Sequence, residues 1–330
     1  MSYGSEMEPV GELFKNLPIV KRAIKEVAFA ASHEKLLDAA TVIRLEPDDV
    51  ERAYMARQLV QCTLPHRNPG NDKPAWTRQS GNLTLVIQPG WDGKKEAPVG
   101  FPYGSIPRLL LFWVITEAVQ TKNRRLLLGR SLSEFMRELG LIPSSAGAGK
   151  RSDAKRLREQ MRRLFAARIS FQQSVERNGA HGERWMNMDV APKGELWWDV
   201  KKPEQATLWE SWIELGEDFF KAVTAAPVPV DMRALRALKQ SPLALDLYAW
   251  ATYRAFVVSR KGAPQFVPWR GLMQQIGCDY SDVKDFKKKA GIALRKVKAV
   301  YPGLKIKNKP GGFDILPCPP AVRPAVAAPA

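Results

Sequence analysis

Two parts of this 330-residue chain run through the same series of elements, and that repetition limits the fold more than any single motif. The first part opens at Ser105-Ile106-Pro107. A long apolar helix (Ile106 to Gln120) is followed by a short strand (Arg125 to Gly129), a capped helix (Ser131 to Gly140) and a basic helix (Lys150 to Arg168). Strands at Ile169 to Val175 and Arg184 to Val190 flank Asn178-Gly179, a dipeptide that favours a two-residue hairpin turn. A further strand is expected at Glu195 to Trp198. The second part opens at Ser241-Pro242 with another long helix, LALDLYAWATYRAF. Then come an extended piece (Gln265 to Val267) and helices at Trp269 to Gly277 and Asp282 to Val300. Strands at Leu304 to Lys307 and Phe313 to Leu316 surround Pro310-Gly311-Gly312. FMRELG at Phe135 to Gly140 parallels LMQQIG at Leu272 to Gly277. From the opening proline to the glycine ending the second helix is 33 residues in one part and 35 in the other. Helix, strand, helix, helix, hairpin is the order of a winged helix, whose third helix enters the major groove. The expected fold class is α+β, mostly helical, with two tandem winged-helix domains (helix-turn-helix plus β-hairpin wing) related by an internal duplication.

The third helices carry the chemistry. In KRSDAKRLREQMRRLFAAR, residues Ala154, Leu157, Met161, Leu164 and Phe165 recur at helical spacing and form an apolar face. Arg151, Lys155, Arg158 and Arg162 stack along one side of the same helix. Like charges at this spacing repel, so the stripe weakens the helix unless something negative lies against it. Lys284, Lys288 and Arg295 keep the same register on the second basic helix, with Gly291 at the remaining step. One such stripe is ordinarily a solvated face. Two in matching register, each in the third helix of the same series, favour duplex DNA. Arginine forks onto guanine, whereas lysine mostly neutralises phosphate. The expected wings add Arg177 and Arg184 in the first copy and Lys305, Lys307 and Lys309 in the second, the three lysines alternating away from Ile306.

The charge is segregated to match. Residues 122–184 carry a net +9 and residues 254–309 a net +11, which leaves the remainder at −3 of the formal +17. Such a balance favours a polyanionic partner. The three cysteines (Cys62, Cys278, Cys318) lie far apart and support neither a disulfide framework nor a zinc site. The longest apolar run, Leu109 to Ile115, is too short to span a bilayer, and no secretory segment opens the chain, so no membrane association and a cytoplasmic location are expected.

Five segments are expected. Residues 1–50 form an extension with a helix at Ile19 to Ala40 after 18 poorly ordered residues. Residues 51–200 form the first winged-helix domain. A helix is expected at Pro47 to Cys62, with acids in its first turn, then a loop, then a strand at Asn82 to Gln88. Residues 201–240 are a structured connector, with TLWESWIEL extended and GEDFFKAVTAA and VDMRALRALK helical. Residues 241–317 form the second winged-helix domain, and 318–330 a Pro/Ala-rich disordered tail.

No catalytic constellation stands out. SAGAGKRS at 145–152 fails as a P-loop, because Ser144 stands where the first glycine belongs and Arg151 where Ser or Thr is needed. His33, His66 and His181 are isolated, so no metal pair for a nicking enzyme is present. The expectation is no enzyme, no cofactor and no metal.

GNLTLVIQPGWD, FPYGSIPRLLLFWVITEAV, LSEFMRELGL, LREQMRRLF, PVPVDMRALRAL and SPLALDLYAW together resemble the plasmid-encoded RepA replication initiator family, over roughly residues 55–320. The resemblance implies a bacterial plasmid protein that binds repeated sites in double-stranded origin DNA. It further implies opening of an adjacent AT-rich region and recruitment of host replication proteins, a helicase or its loader. In similar initiators a homodimer represses its own gene while monomers bind the repeats. A location in the bacterial cytoplasm, on plasmid or nucleoid, follows from the same resemblance. A promoter-bound repressor of the same architecture is the alternative.

Overall fold

The structure, a computed structural model, describes residues 34–143, 152–276 and 280–322. Arg151, the first 33 residues and the end of the tail lie outside them, and with them the start of the helix expected at Ile19 and the rejected P-loop. Helix α1 occupies 34–45. It is followed by β1 (Arg52–Ala56), α2 (Arg57–Gln61), β2 (Trp76–Ser80), β3 (Leu83–Gln88), β4 (Trp91–Asp92) and β5 (Ala97–Pro98). The first copy then runs α3 (Ser105–Thr121), β6 (Arg125–Gly129), α4 (Leu132–Glu138), α5 (Asp153–Phe165), β7 (Arg168–Arg177), β8 (Ala180–Asp189), β9 (Lys193–Glu195) and β10 (Ser211–Glu214). The elements α6 (Glu217–Ala225), β11 (Pro227–Asp231) and α7 (Met232–Leu238) lead to the second copy. That copy is α8 (Pro242–Lys261), β12 (Gln265–Pro268), α9 (Trp269–Ile276), α10 (Val283–Val300), β13 (Ile306–Lys309) and β14 (Gly312–Ile315). The chain is thus α+β with helices predominating. Among the described residues no helix is long and apolar enough to cross a membrane.

The helix termini follow their residues. Ser131, Ser152 and Ser241 each accept a hydrogen bond from the backbone N–H three residues on, satisfying an otherwise orphaned donor. Asp231 and Asp282 cap α7 and α10 through their side chains, accepting from Arg233 and Asp285. Gly140 ends the turn after α4 at φ +68°, a conformation that favours glycine.

Helices α3 and α8 are buried nearly all round and pack in one continuous core that runs through both copies. Apolar burial of this kind contributes about 25 cal/mol per Å² and is the main stabilising term. The link between the copies extends beyond helix packing. Strand β1 pairs antiparallel with β11, Arg52 opposite Asp231. The Tyr54 N–H donates to the Thr116 hydroxyl (2.8 Å), and that hydroxyl donates to the Phe112 carbonyl (2.6 Å).

Strand β1 corrects an expectation. Residues 47–62 do not form one helix: Arg52–Ala56 is extended and only Arg57–Gln61 is helical. Ala53 and Met55 alternate into the core, and the PVPVD strand offers them a partner. Tertiary pairing has overridden local helix preference. Strand β2 starts at Trp76, the last residue of the stretch expected to be a loop, and occupies residues for which no element is expected.

The larger correction concerns the first hairpin. In the second copy, β12, β14 and β13 form a three-stranded sheet in that order. The matching sheet of the first copy is β6-β10-β9. In both, the strand between the first two helices pairs with the last strand of the copy, which pairs with its predecessor. The first copy therefore closes on β9–β10. The β7–β8 hairpin belongs to a separate four-stranded sheet, β2-β3-β7-β8, where Leu85 faces Phe171 and Ile87 faces Ile169. Burying the alternating face of β3 is what recruits it. The turn itself is as expected, with Asn178 and Gly179 at φ +51° and +78°.

The strand expected at Glu195 to Trp198 is shifted to Lys193–Glu195. Trp198 leaves it to pack against Phe135, ring centroids 5.3 Å apart, and donates from Nε1 to the Gly129 carbonyl.

Candidate nucleic-acid interface

The two third helices present their cations differently. On α10 the apolar face of Phe286, Ala290, Ala293, Leu294, Val297 and Val300 is buried. Lys284, Lys288 and Arg295 are exposed on the opposite side, together with Lys287, Lys289 and Lys298. Among the described residues none of these six is in an ion pair with an acid. Gly291, at the remaining step, has nothing within 4 Å of where a Cβ would lie. No packing inside the chain therefore requires a glycine there.

On α5 the stripe is engaged. Arg158 donates from Nη1 to the Trp198 carbonyl (3.0 Å). Arg162 is ion-paired with Asp92, a carboxylate only 8% exposed, while Arg162 itself is 51% exposed. Hydrogen bonds from Arg162 first, then from the Lys94 and Lys95 backbone, hold the Asp92 carboxyl below its ordinary range. Lys155 is half-buried. The negative partner that the stripe needed is thus supplied in part from within the chain. Two other cations of α5 are paired locally, Arg156 with Asp153 (3.0 Å) and Arg163 with Glu159 (2.5 Å).

Each third helix borders a groove against the closing sheet of its copy. The groove beside α10 measures about 460 Å³ and is lined by Lys287, Arg295, Lys298, Asn308 and Lys309. The groove beside α5 measures about 510 Å³ and is lined by Arg158, Arg162, Asp189, Lys193 and Leu196. Equivalent positions in the two copies therefore carry a cationic helix, a groove and a two-strand wall.

The remaining candidates divide. Lys305 and Lys307 are exposed at and before β13. Lys309 pairs with the buried Asp314 (2.5 Å) and is partly neutralised. Arg177 ends β7 and so belongs to the four-stranded sheet and not to the closing hairpin. Lys287, Lys298 and Lys193 are absent from the cations that helical register picks out. The first two lie one helical turn from residues that it does, and Lys193 becomes visible only once β9 is recognised as the wall.

The sequence profile of the plasmid encoded RepA protein family matches residues 101–270 of the chain. That span includes α3 to α8. Among solved structures, domains 2 and 3 of RctB superpose with a TM-score of 0.46 at 13% identity, covering 78% of this chain and 94% of that one. No curated protein matches the chain.

Proposed function

The chain belongs to the plasmid encoded RepA protein family, and from that premise we propose that it initiates plasmid replication by binding repeated sites in double-stranded origin DNA. The two copies act as winged helices, with α5 and α10 as reading helices and β9–β10 and β13–β14 as wings. They are the first and second domains; of the segment expected as a connector, 201–240, β10 belongs to the first domain and residues 215–240 join it to the second. Opening of an AT-rich region and recruitment of a host helicase or its loader follow DNA binding, in the bacterial cytoplasm. The protein works by binding and not by catalysis.

The observation that carries this reading is the matched pair of cationic helices, each exposed beside a groove. The exposed α10 cations, in no ion pair with an acid among the described residues, suit phosphate. The arginines of α5, held by fixed protein acceptors, suit a directional contact with base edges. Footprinting on the DNA flanking the protein's own gene tests it. Protection of repeated sites supports the proposal, and uniform binding without protected sites contradicts it.

A further inference from the structure

The short hairpin β4–β5 has no counterpart in the second copy, yet it is fastened to the C-terminal half of α5 at three points. At its base, a Cβ on Gly90 would lie 2.5 Å from both the carbonyl oxygen and the Cβ of Ala166, so the two backbones touch. On the returning strand of the same base, a Cβ on Gly100 would lie 3.1 Å from Cζ of Arg163, and Arg163 donates from Nη1 to the neighbouring Phe101 carbonyl (3.2 Å). Nearer the tip, Asp92 pairs with Arg162.

Asp92 does a second job. Its Oδ1 accepts from the Lys94 N–H (3.1 Å), and its carbonyl accepts from the Lys95 N–H (3.2 Å). One carboxylate therefore closes the turn and holds the arginine. The turn displays Lys94 and Lys95, both exposed, and Glu96 is the only acid among residues 93–96. Neither lysine is in an ion pair with an acid among the described residues. Trp91 beside them is 66% exposed. A cationic tip is thus set two residues from the group that orients Arg162. Internal packing gives no reason for two adjacent lysines there.

We propose that the β4–β5 hairpin is a further contact with duplex DNA, in which Lys94 and Lys95 hold backbone phosphate next to the base edge met by Arg162, and Asp92 positions both elements. This rests on the assignment of α5 as a reading helix. Arginine offers five N–H donors in a fixed fork, so a partner on one edge orients the others. Phosphate contacts set register without reading sequence, which is the role a rigid basic turn can fill.

The test compares Lys94→Ala/Lys95→Ala, Asp92→Asn and Arg162→Ala in the full chain, on the footprinted site and on an unrelated duplex, at several salt concentrations. The lysine variant should weaken binding to both duplexes alike, with a salt slope smaller by about 0.9 for each phosphate no longer neutralised. Asp92→Asn should lower the ratio of specific to non-specific affinity as Arg162→Ala does, and the double variant should lose no more than Arg162→Ala alone. Thermal unfolding of each variant checks the fold. Asp92→Asn alone can loosen the turn, whereas the two exposed lysines can be removed without that risk. If Arg162→Ala loses specific binding while the lysine variant keeps wild-type affinity and slope on both duplexes, the hairpin contact is overturned and the reading helix stands. If Arg162→Ala itself keeps wild-type specificity, Arg162 meets no base edge and the role of Asp92 is overturned, while α5 as the reading helix falls only if Arg158→Ala keeps wild-type specificity too.

Discussion

Arg108 of α3 and Asp246 of α8 form a buried two-point ion pair, with Nε to Oδ1 at 2.7 Å and Nη2 to Oδ2 at 2.8 Å. The other Arg108 donors go to the carbonyls of Leu64, Pro65 and Gly104, so all five are used. His66 Nε2 also meets Asp246 at 2.7 Å. The pair joins the first helix of one copy to the first helix of the other. Its net contribution to stability is small, because desolvation offsets most of the attraction in a buried pair.

Removing one partner is another matter. Asp246→Ala leaves Arg108 buried and uncompensated, and should cost about 3–5 kcal/mol in urea unfolding. Replacing both residues by apolar ones of similar volume should cost less than the single change, the remaining cost coming from the Leu64 carbonyl and His66, which lose their partners.

The same cluster sets a pH response. Burial, and then the Arg108 cation, hold His66 below its ordinary value of 6.5, against the pull of Asp246. A base with a depressed folded value binds its proton more tightly when unfolded. Stability is therefore full above 6.5 and falls as the pH drops below it, until the folded value is reached. Denaturation at stepped pH should show this decline before the ordinary carboxylates titrate, and His66→Gln should remove that part of it. An unchanged slope in the variant would contradict the assignment.

Arg158 and Arg162 should carry sequence preference. Each alanine variant should remain folded, since both side chains lie outside the core, and should lose about 1–3 kcal/mol of specific binding with relaxed preference at one base position. Wild-type affinity in both at physiological salt would remove α5 as the reading helix.

Lys284 and Lys288 should act through phosphate. Alanine at either should weaken binding to every duplex and reduce the salt slope by about 0.9. A loss confined to one sequence, with the slope unchanged, would contradict this.

Gly291 separates folding from binding. Glycine inside a helix costs roughly 0.8–1 kcal/mol relative to alanine, and open space surrounds this one. Gly291→Ala should raise thermal stability. If α10 approaches DNA closely at this step, the same variant should bind more weakly. A variant that is both more stable and equally tight would show that the glycine has no role at the interface.

Much of this architecture is legible from local patterns. The apolar helix from Ile106, the Ser131 and Ser241 caps, the Asn178-Gly179 turn and the cationic register on α10 all depend on near neighbours in sequence. The misreadings share a different cause. Strand β1 is hidden because its partner β11 lies about 175 residues away and only pairing makes RAYMA extended. The closing hairpin of the first copy escapes a local reading because residues 196–210 separate its strands, while the adjacent β7–β8 hairpin carries the clearer turn signal. The pairing of Arg162 with Asp92 joins residues 70 apart. A stripe of cations can be read from helical spacing, but the acid that engages it cannot.

One chain should present two reading helices to DNA in a fixed relation. Successive major grooves on one face of the duplex are about 10 bp apart, so a monomer should cover roughly 20 bp. The two halves of that site should differ, because α5 offers tethered arginines and α10 mostly lysines. Footprinting on an isolated site, with the number of bound chains measured on the same complex, decides it most directly. One chain protecting about 20 bp as two unlike half-elements is the expected result. One chain protecting a single groove, or two chains sharing an inverted repeat with one helix each, would contradict it.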